Sequence, residues 1–442
     1  MTRVAIIGGG VSGAAAAYFL RAKQNLFPSQ LKIDLYESSH RLGGRIFSEY
    51  RNSLVLERGA EGLSGRDTSA MELMEDLGLE LVRPAALPLG IGCGGQFEVI
   101  DPEVLRPSLR GLRHLLGRRL ISTRGKLETA LRVLTRSFRD KDTHETSLAR
   151  YLEESWGSEA AQRIFAPVYS GIYGGSADEL SSRLAERLQG GRCAGPTKSA
   201  LFSIATGMSS LVERFVELSG AQVHLESPIT KLFRDSDRWL IADAPYDAVA
   251  LCIPAPQAGA LLLSLDQEAA KLLSAIRFTS VITVLLEIEP IDLPEASGCL
   301  MQRQNGLRAV SFVSQKWGHS SRSSSFVRGF FSPHRHLEDH DLITLLVNEI
   351  EALCGVRPRV ISSLVDRWEA ANPLLSVGYE RIGARISEAV KALPGVFIPA
   401  GVYHGAGITD CINGARRSAD LMADYLTSFS AVRSDYEHRI SA

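Results

Sequence analysis

The chain opens on a short apolar run, Val4 to Ile7, then glycines, then the alanine-rich stretch Ala14 to Leu20. Four small or β-branched residues in a row are the pattern of a buried central strand, and the stretch after them favours helix. A second run, Lys32 to Tyr36, reads as a strand that ends at Glu37. Leu54 to Glu57 reads as another strand, and Met71, Met74 and Leu77 fall at helical spacing before a closing Gly78. From Pro84 the pattern changes to short hydrophobic pieces around Gly90 and Gly92, which marks the exit from a first domain. Leu109, Leu112, Leu115 and Leu116 recur at helical intervals, as do Leu127, Leu131 and Leu134. These predict amphipathic helices with arginine-rich polar faces. Residues 147–157 read as a helix stopped by Gly157, and the polar stretch 182–200 reads as a linker.

The second half repeats the alternation. Gly207 opens a helix bearing Leu211, Val212 and Phe215, and residues 246–258 hold a buried strand closed by Pro254. Thr279 to Ile288, Ala309 to Val313, Phe326 to Phe331 and Val360 to Trp368 are rich in β-branched and aromatic residues and predict an antiparallel sheet. Asp341 to Leu353 predicts an amphipathic helix. Residues 396–422 again run strand, glycine turn, helix.

Composition narrows the class. A chain of 442 residues with 45% apolar content holds two or three domains, or one nucleotide-binding domain with a large insertion. A net charge of −1 argues against a dedicated nucleic-acid binder. None of the six cysteines (Cys93, Cys193, Cys252, Cys299, Cys354, Cys411) pairs as C-x-x-C, which predicts reduced thiols in a cytoplasmic protein. No apolar stretch reaches the roughly 20 residues of a membrane span, and the first apolar run leads straight into glycines, unlike a signal peptide. Charge is uneven, however. Residues 101–150 carry twelve basic side chains against six acidic ones. A solvated face explains that excess, as do attraction to an anionic lipid surface or to a carboxylate-bearing substrate.

The chemistry begins at the glycines. Gly8, Gly10 and Gly13 form G-x-G-x-x-G between a strand and a helix, with Val11 and Ser12 inside the turn. The first glycine allows the turn, the second lets backbone approach a pyrophosphate, and the third lets helix and strand pack closely. A pyrophosphate there meets free N–H groups at the positive end of a helix. Glu37, followed by Ser38, stands about 24 residues past Gly13, near the usual offset of ~20 for a carboxylate that binds a ribose hydroxyl. Gly43, Gly44 and Arg45 form a second glycine turn whose arginine suits a phosphate; the alternative is a solvated surface arginine.

Together, G-x-G-x-x-G, Glu37 and the R-x-G-G-R of residues 41–45 resemble the flavin-dependent amine oxidase superfamily. The S-G-I-Y-G-G of residues 170–175, the upstream STRGKL (122–127) and the late D-C-I (410–412) are similar to its protoporphyrinogen and coproporphyrinogen oxidase branch. The resemblance implies an α/β fold: a discontinuous Rossmann-type FAD-binding domain (1–83, 202–260, 390–442). It also implies an inserted α+β substrate domain (84–201, 261–389), with an antiparallel sheet and a basic helical region at 101–165. It implies noncovalent FAD held also by Gly59, Ala60, Ile229, Gly401, Gly407 and Ile408, although Cys411 lies in the flavin motif. It implies hydride transfer from a porphyrinogen to the flavin N5, with oxygen as acceptor and no dedicated catalytic base. Gly171, Tyr173, Trp368 and Tyr379 are the residues it implies for the substrate wall. Asn372, Leu374, Leu375 and Tyr379 depart from the branch's late pattern. Another oxidase or desaturase of this fold, acting on an amine, pyrrole or polyene, therefore stays open as an alternative, as does a non-redox flavoprotein.

Overall fold

A computed structural model gives the fold. It describes all residues except 28, 52–53, 66, 94–95, 101–103, 105–108, 136–143, 191–200, 302–305, 319–323, 334–336, 400–404 and 442. Parts of the basic stretch and of the 182–200 segment thus lie outside the described residues. Two compact units result. The first comprises Met1–Leu81, Ala200–Arg277 and Tyr379–Ala442, and the second Val82–Ser199 and Phe278–Gly378. Residues 261–277 and 379–389, expected in the substrate domain, fall in the first unit.

The first unit is built on strands β1 (Thr2–Ile7), β2 (Leu31–Tyr36), β3 (Gln222–His224), β4 (Ala248–Leu251) and β5 (Val396–Phe397). They form one parallel sheet in the order β3-β2-β1-β4-β5. Parallel strands covered on both faces carry continuous apolar runs, which is why Val4 to Ile7 was readable from its composition alone. Helix α1 (Val11–Arg21) follows β1 and lies between α2 (Ser209–Ser219) and α3 (Ile408–Ser441). Its four alanines, Ala14 to Ala17, are fully buried against Leu211, Phe215, Ala415 and Ala419. Small side chains let three helices approach closely on one face of the sheet.

The second unit holds a seven-stranded sheet. Its order is Val360–Pro373, Phe278–Ile288, Ser325–Phe331, Leu307–Ser311, Gly298–Met301, Leu89–Cys93, Gln96–Ile100. The sheet was expected to be antiparallel, but one pair departs from that: Gly298–Met301 and Leu89–Cys93 pair in parallel. The glycine-rich pieces near residue 90 are strands because Gly90 leaves room for the Phe97 ring and the Gly298 carbonyl. Strand Leu307–Ser311 stops short of Val313, where a short helix begins. Helix Asp339–Cys354 covers one face of the sheet through Leu342, Leu346 and Ile350. The expected linker starts as helix Arg183–Gly190.

The basic stretch forms helices, as its leucine spacing predicts, with the leucines divided between inside and outside. In Leu109–Leu116, Leu112 and Leu115 are buried but Leu109 is exposed. In Thr123–Thr135 all three leucines face outward, and Gly125, Thr129 and Val133 face inward. The inner face is fixed by polar anchors. Thr129 Oγ1 donates to the Trp156 carbonyl (2.7 Å), and Glu159 accepts from Ser122 N and Oγ at the helix start.

Candidate functional site

The glycine turn after β1 has the geometry its spacing predicts. Gly8 sits at φ +108°, and a Cβ there would lie 2.4 Å from the Cys252 carbonyl. Gly13 is tighter, its hypothetical Cβ 1.9 Å from the Gly8 carbonyl. Gly10 is different: a Cβ would meet only the Gly43 carbonyl at 4.0 Å. Gly8 and Gly13 are thus required by the protein's own packing, whereas Gly10 keeps clear a space the protein does not fill. Val11 and Ser12 open α1, with Gly10 as its N-cap residue in extended conformation and no side chain capping it.

The second glycine turn is joined to the first. Gly43 N donates to the Gly9 carbonyl at 2.9 Å, and Gly10 and Gly43 form an isolated parallel bridge. Gly43 and Gly44 have φ +103° and +57°, so the turn needs glycine. Arg41, the first arginine of R-x-G-G-R, holds it by donating to the carbonyls of Leu42, Gly44 and Ile46. Its sequence signal was present, but no role followed from spacing alone. Arg45 is exposed, and partial desolvation by the surrounding protein lowers its pKa, against an opposing pull from Cys411. Gly59 packs over the Arg45 carbonyl, to which Ala60 N donates at 3.0 Å.

Glu37 is nearly buried, with 8% of its surface exposed. Oε2 accepts from Gly9 N at 2.7 Å, and Oε1 from Ser39 N at 2.8 Å and Ser38 Oγ at 3.2 Å. A carboxylate has about four acceptor positions, so Oε2 retains capacity for a ribose hydroxyl. The segment after β3 lies beside it: Ser227 N donates to the Glu37 carbonyl and Glu226 N to that of Ser39. Ile229 follows two residues on and is partly exposed, outside any strand.

The C-terminal turn completes the cluster. Gly407 N donates to Asp410 Oδ2 (3.1 Å) as α3 begins at Ile408. Gly401 lies outside the described residues. The Thr409 hydroxyl, in the first turn of α3, is buried and has no protein partner among the described residues. Cys411 is next to Ser12 and Arg45; burial raises its thiol pKa, outweighing the Ser12 hydrogen bond and the Arg45 charge that lower it. Asn413 donates to Asp67 Oδ2 at 2.7 Å, a tie between α3 and the start of helix Thr68–Asp76 that sequence reading missed. Three segments, from the start, the early part and the end of the chain, therefore meet in one unit. A space left clear at Gly10, an exposed guanidinium, a carboxylate with spare acceptor capacity and a buried hydroxyl without a protein partner among the described residues fit a dinucleotide.

In the second unit, Gly171 and Tyr173 lie on helix Ala166–Tyr173, Gly171 facing the Leu300 side chain. Gly174 follows at φ +76°, and its carbonyl accepts from Arg308 Nη1 (2.8 Å), another residue sequence reading missed. Burial lowers the Arg308 pKa, against the Glu179 charge. The departing stretch comes to the same place. Leu374 packs over Gly175, Asn372 borders Gly174, and the Leu375 carbonyl accepts from Ser181 N. Trp368 is half-buried with Nε1 donating to Thr283 Oγ1 (3.2 Å). Beside it the strand bulges, three residues opposing one, with Ala370 at φ +48°. Tyr379 starts helix Tyr379–Lys391 in the first unit, buried, its hydroxyl donating to Glu380 Oε1 (3.2 Å).

A parallel nucleotide-binding sheet joined to a mixed-sheet unit, with this three-part cradle, defines the class. The chain belongs to the flavin containing amine oxidoreductase family, whose model matches residues 11–427, and it is an FAD-dependent oxidoreductase. It is similar to coproporphyrinogen III oxidase of Bacillus subtilis, with 24% identity covering 96% of this chain and 98% of the relative. It is also similar to that of Mycobacterium leprae, with 26% identity covering 94% and 97%. Among solved structures, a candidate protoporphyrinogen oxidase of Exiguobacterium matches with TM-score 0.84 and 26% identity over 96% of this chain and 98% of that one. Cyclohexylamine oxidase of Brevibacterium oxydans shares the fold, with TM-score 0.69 and 15% identity over 96% and 99%.

Proposed function

We propose that this chain oxidises a porphyrinogen to the porphyrin, with oxygen as the final acceptor. The observation that supports it most is the convergence of residues 170–181 with 372–375 in the second unit, in a chain matched end to end by relatives named for that reaction. Bound noncovalently, FAD supplies a hydride acceptor that oxygen restores. Glu37 holds its ribose. The N–H groups at the start of α1 and the Arg45 guanidinium neutralise its pyrophosphate. The Thr409 hydroxyl and the positive end of α3 would stabilise its ring system, where negative charge grows on reduction. No side chain needs to act as a strong base, because pyrrole nitrogen lone pairs stabilise the cation that forms as hydride leaves. What remains for the second unit is to exclude water and orient the substrate carbon. Gly171, Tyr173 and Trp368 line that wall in this reading. Arg308 holds the turn that carries Tyr173, and its charge suits a substrate carboxylate. A cytoplasmic location suits the free thiols of Cys252, Cys299, Cys354 and Cys411.

The changes at Asn372, Leu374 and Leu375 favour a second reading, an oxidase of the same fold acting on another pyrrole or amine. One experiment separates the two. Purified FAD-loaded protein is mixed anaerobically with coproporphyrinogen, protoporphyrinogen and a panel of amines, and flavin absorbance is followed. Bleaching by a porphyrinogen supports the proposal; bleaching only by another substrate supports the second reading.

A further inference from the structure

Three stretches of the second unit, far apart in sequence, meet around residues 180–181. Ser147 bridges Ser181 and Leu180 bridges Ser376, each antiparallel, so the middle stretch has a neighbour on either side. Backbone bonds cross both seams. Leu148 N donates to the Leu180 carbonyl at 2.7 Å, and Ser182 N to that of Thr146 at 2.9 Å. On the other side Ser181 N donates to the Leu375 carbonyl at 2.9 Å. One side chain ties all three together. Glu145 Oε1 accepts from Ser181 Oγ at 2.6 Å and from Gly378 N at 2.9 Å. Ser181 Oγ in turn accepts from Arg183 N at 3.1 Å, which leaves its one proton for the carboxylate. Gly378 takes φ +85°, a sharp turn that suits glycine. Glu145 is half-buried, just ahead of helix Leu148–Trp156, and Leu180, Leu374 and Leu375 are buried in the same three stretches.

The stretches that Glu145 joins are the ones that converge on Gly174 and Gly175, where Asn372 borders the first glycine and Leu374 packs over the second. Gly171 and Tyr173 precede them on helix Ala166–Tyr173. Hydrogen bonds to a carboxylate are stronger than neutral ones, so this clamp holds harder than the backbone bonds beside it. We propose that Glu145 is a positioning residue for substrate. By clamping Ser181 and Gly378 it sets the spacing between residues 170–175 and 372–375, and with it how tightly they fit a substrate. This rests on the reading that those stretches form the substrate wall. Glu145 acts through Ser181 and Gly378, and the cofactor cradle, which lies in the first unit, does not depend on it.

The test compares wild-type holoprotein with Glu145→Ala, Glu145→Gln and Ser181→Ala. Each is mixed anaerobically with rising concentrations of coproporphyrinogen or protoporphyrinogen, and flavin bleaching gives a half-saturating concentration and a limiting rate. Glu145→Ala loses both bonds, so half-saturation should rise about tenfold while the limiting rate stays within about threefold. Ser181→Ala loses one bond, and half-saturation should rise about threefold. Glu145→Gln keeps an oxygen that accepts from both donors and should stay within about threefold of wild type. FAD affinity in a fluorescence titration should be unchanged in all three. Unchanged half-saturation in Glu145→Ala, with or without a lower melting temperature, overturns the proposal, as does a parallel fall in FAD affinity. If that variant fails to fold, unchanged half-saturation in Ser181→Ala overturns it. A Glu145→Gln variant as impaired as Glu145→Ala overturns it too, because charge rather than the clamp would then matter. If neither porphyrinogen bleaches wild-type flavin, the substrate reading has failed instead, and the same titration with the amine or pyrrole that does bleach it decides the role of Glu145.

Discussion

At the scale of single residues, the three fingerprint glycines make different demands. A methyl at Gly13 would sit inside contact distance of the Gly8 carbonyl, whereas one at Gly10 meets no protein atom closer than 4.0 Å. Gly10→Ala should therefore leave apoprotein melting unchanged and weaken FAD, while Gly13→Ala should lower the melting temperature of the apoprotein itself. Calorimetry with and without FAD reads both; equal losses of apoprotein stability would refute the distinction. Glu37→Ala removes a charge-assisted bond of about 1.5–3 kcal/mol, so FAD affinity should fall roughly tenfold to a hundredfold in a fluorescence titration. Cys411 bears on attachment. Burial keeps its thiol protonated at neutral pH and hence a poor nucleophile. Acid precipitation should release yellow FAD into the supernatant, and flavin retained in the pellet would contradict this. Asp34 contributes to acid sensitivity. Burial raises its pKa, but hydrogen bonds from His224 (3.0 Å) and Arg3 (3.2 Å), with Lys32 and Tyr246, prevail and hold it below the usual value. A lowered carboxylate pKa adds stability above the unfolded value of about 3.9 and loses it as pH falls through the folded one. Melting temperature should drop below about pH 4 in wild type, and less steeply in Asp34→Asn.

At the scale of elements, legibility followed locality. Strand, glycine turn and helix at both ends of the chain were readable because each signal lies within a dozen residues: Val4 to Ile7, Gly8 to Gly13, Ala14 to Leu20. The leucine helix was not. Its period was correct, yet period does not say which side faces in, and here Gly125 and Thr129 win the inner face through Glu159 and Trp156, partners that only the fold supplies. Arg308 was hidden for the same reason: one arginine in an apolar strand gains meaning only when Gly174 arrives opposite. The strand expected to end at Trp368 instead bulges and runs to Pro373. Ala370 in that bulge adopts φ +48°, which costs a β-carbon residue on the order of 1 kcal/mol. Ala370→Gly should raise stability by about that amount in denaturant titration, and a loss would show that the bulge carries no strain.

At the scale of the whole molecule, the two units divide the chain unevenly in sequence. The first takes three separate stretches of the chain, and its cradle draws on residues 8–13, 37–45 and 407–413. The excursions between these segments build the second unit, which is why the changes from the branch pattern at Asn372, Leu374 and Leu375 leave the glycine turns untouched.

The packing of α1 against α3 also sets a timetable. During synthesis, Ala14 to Ala17 leave the ribosome almost 400 residues before Ala415 and Ala419, the later of the two helix surfaces that cover them. At about 5–20 residues per second, that is a wait of roughly 20–80 s in which α1 is covered on the α2 side alone and the cradle is half made. Flavin capture should therefore be a late event in the life of the nascent chain.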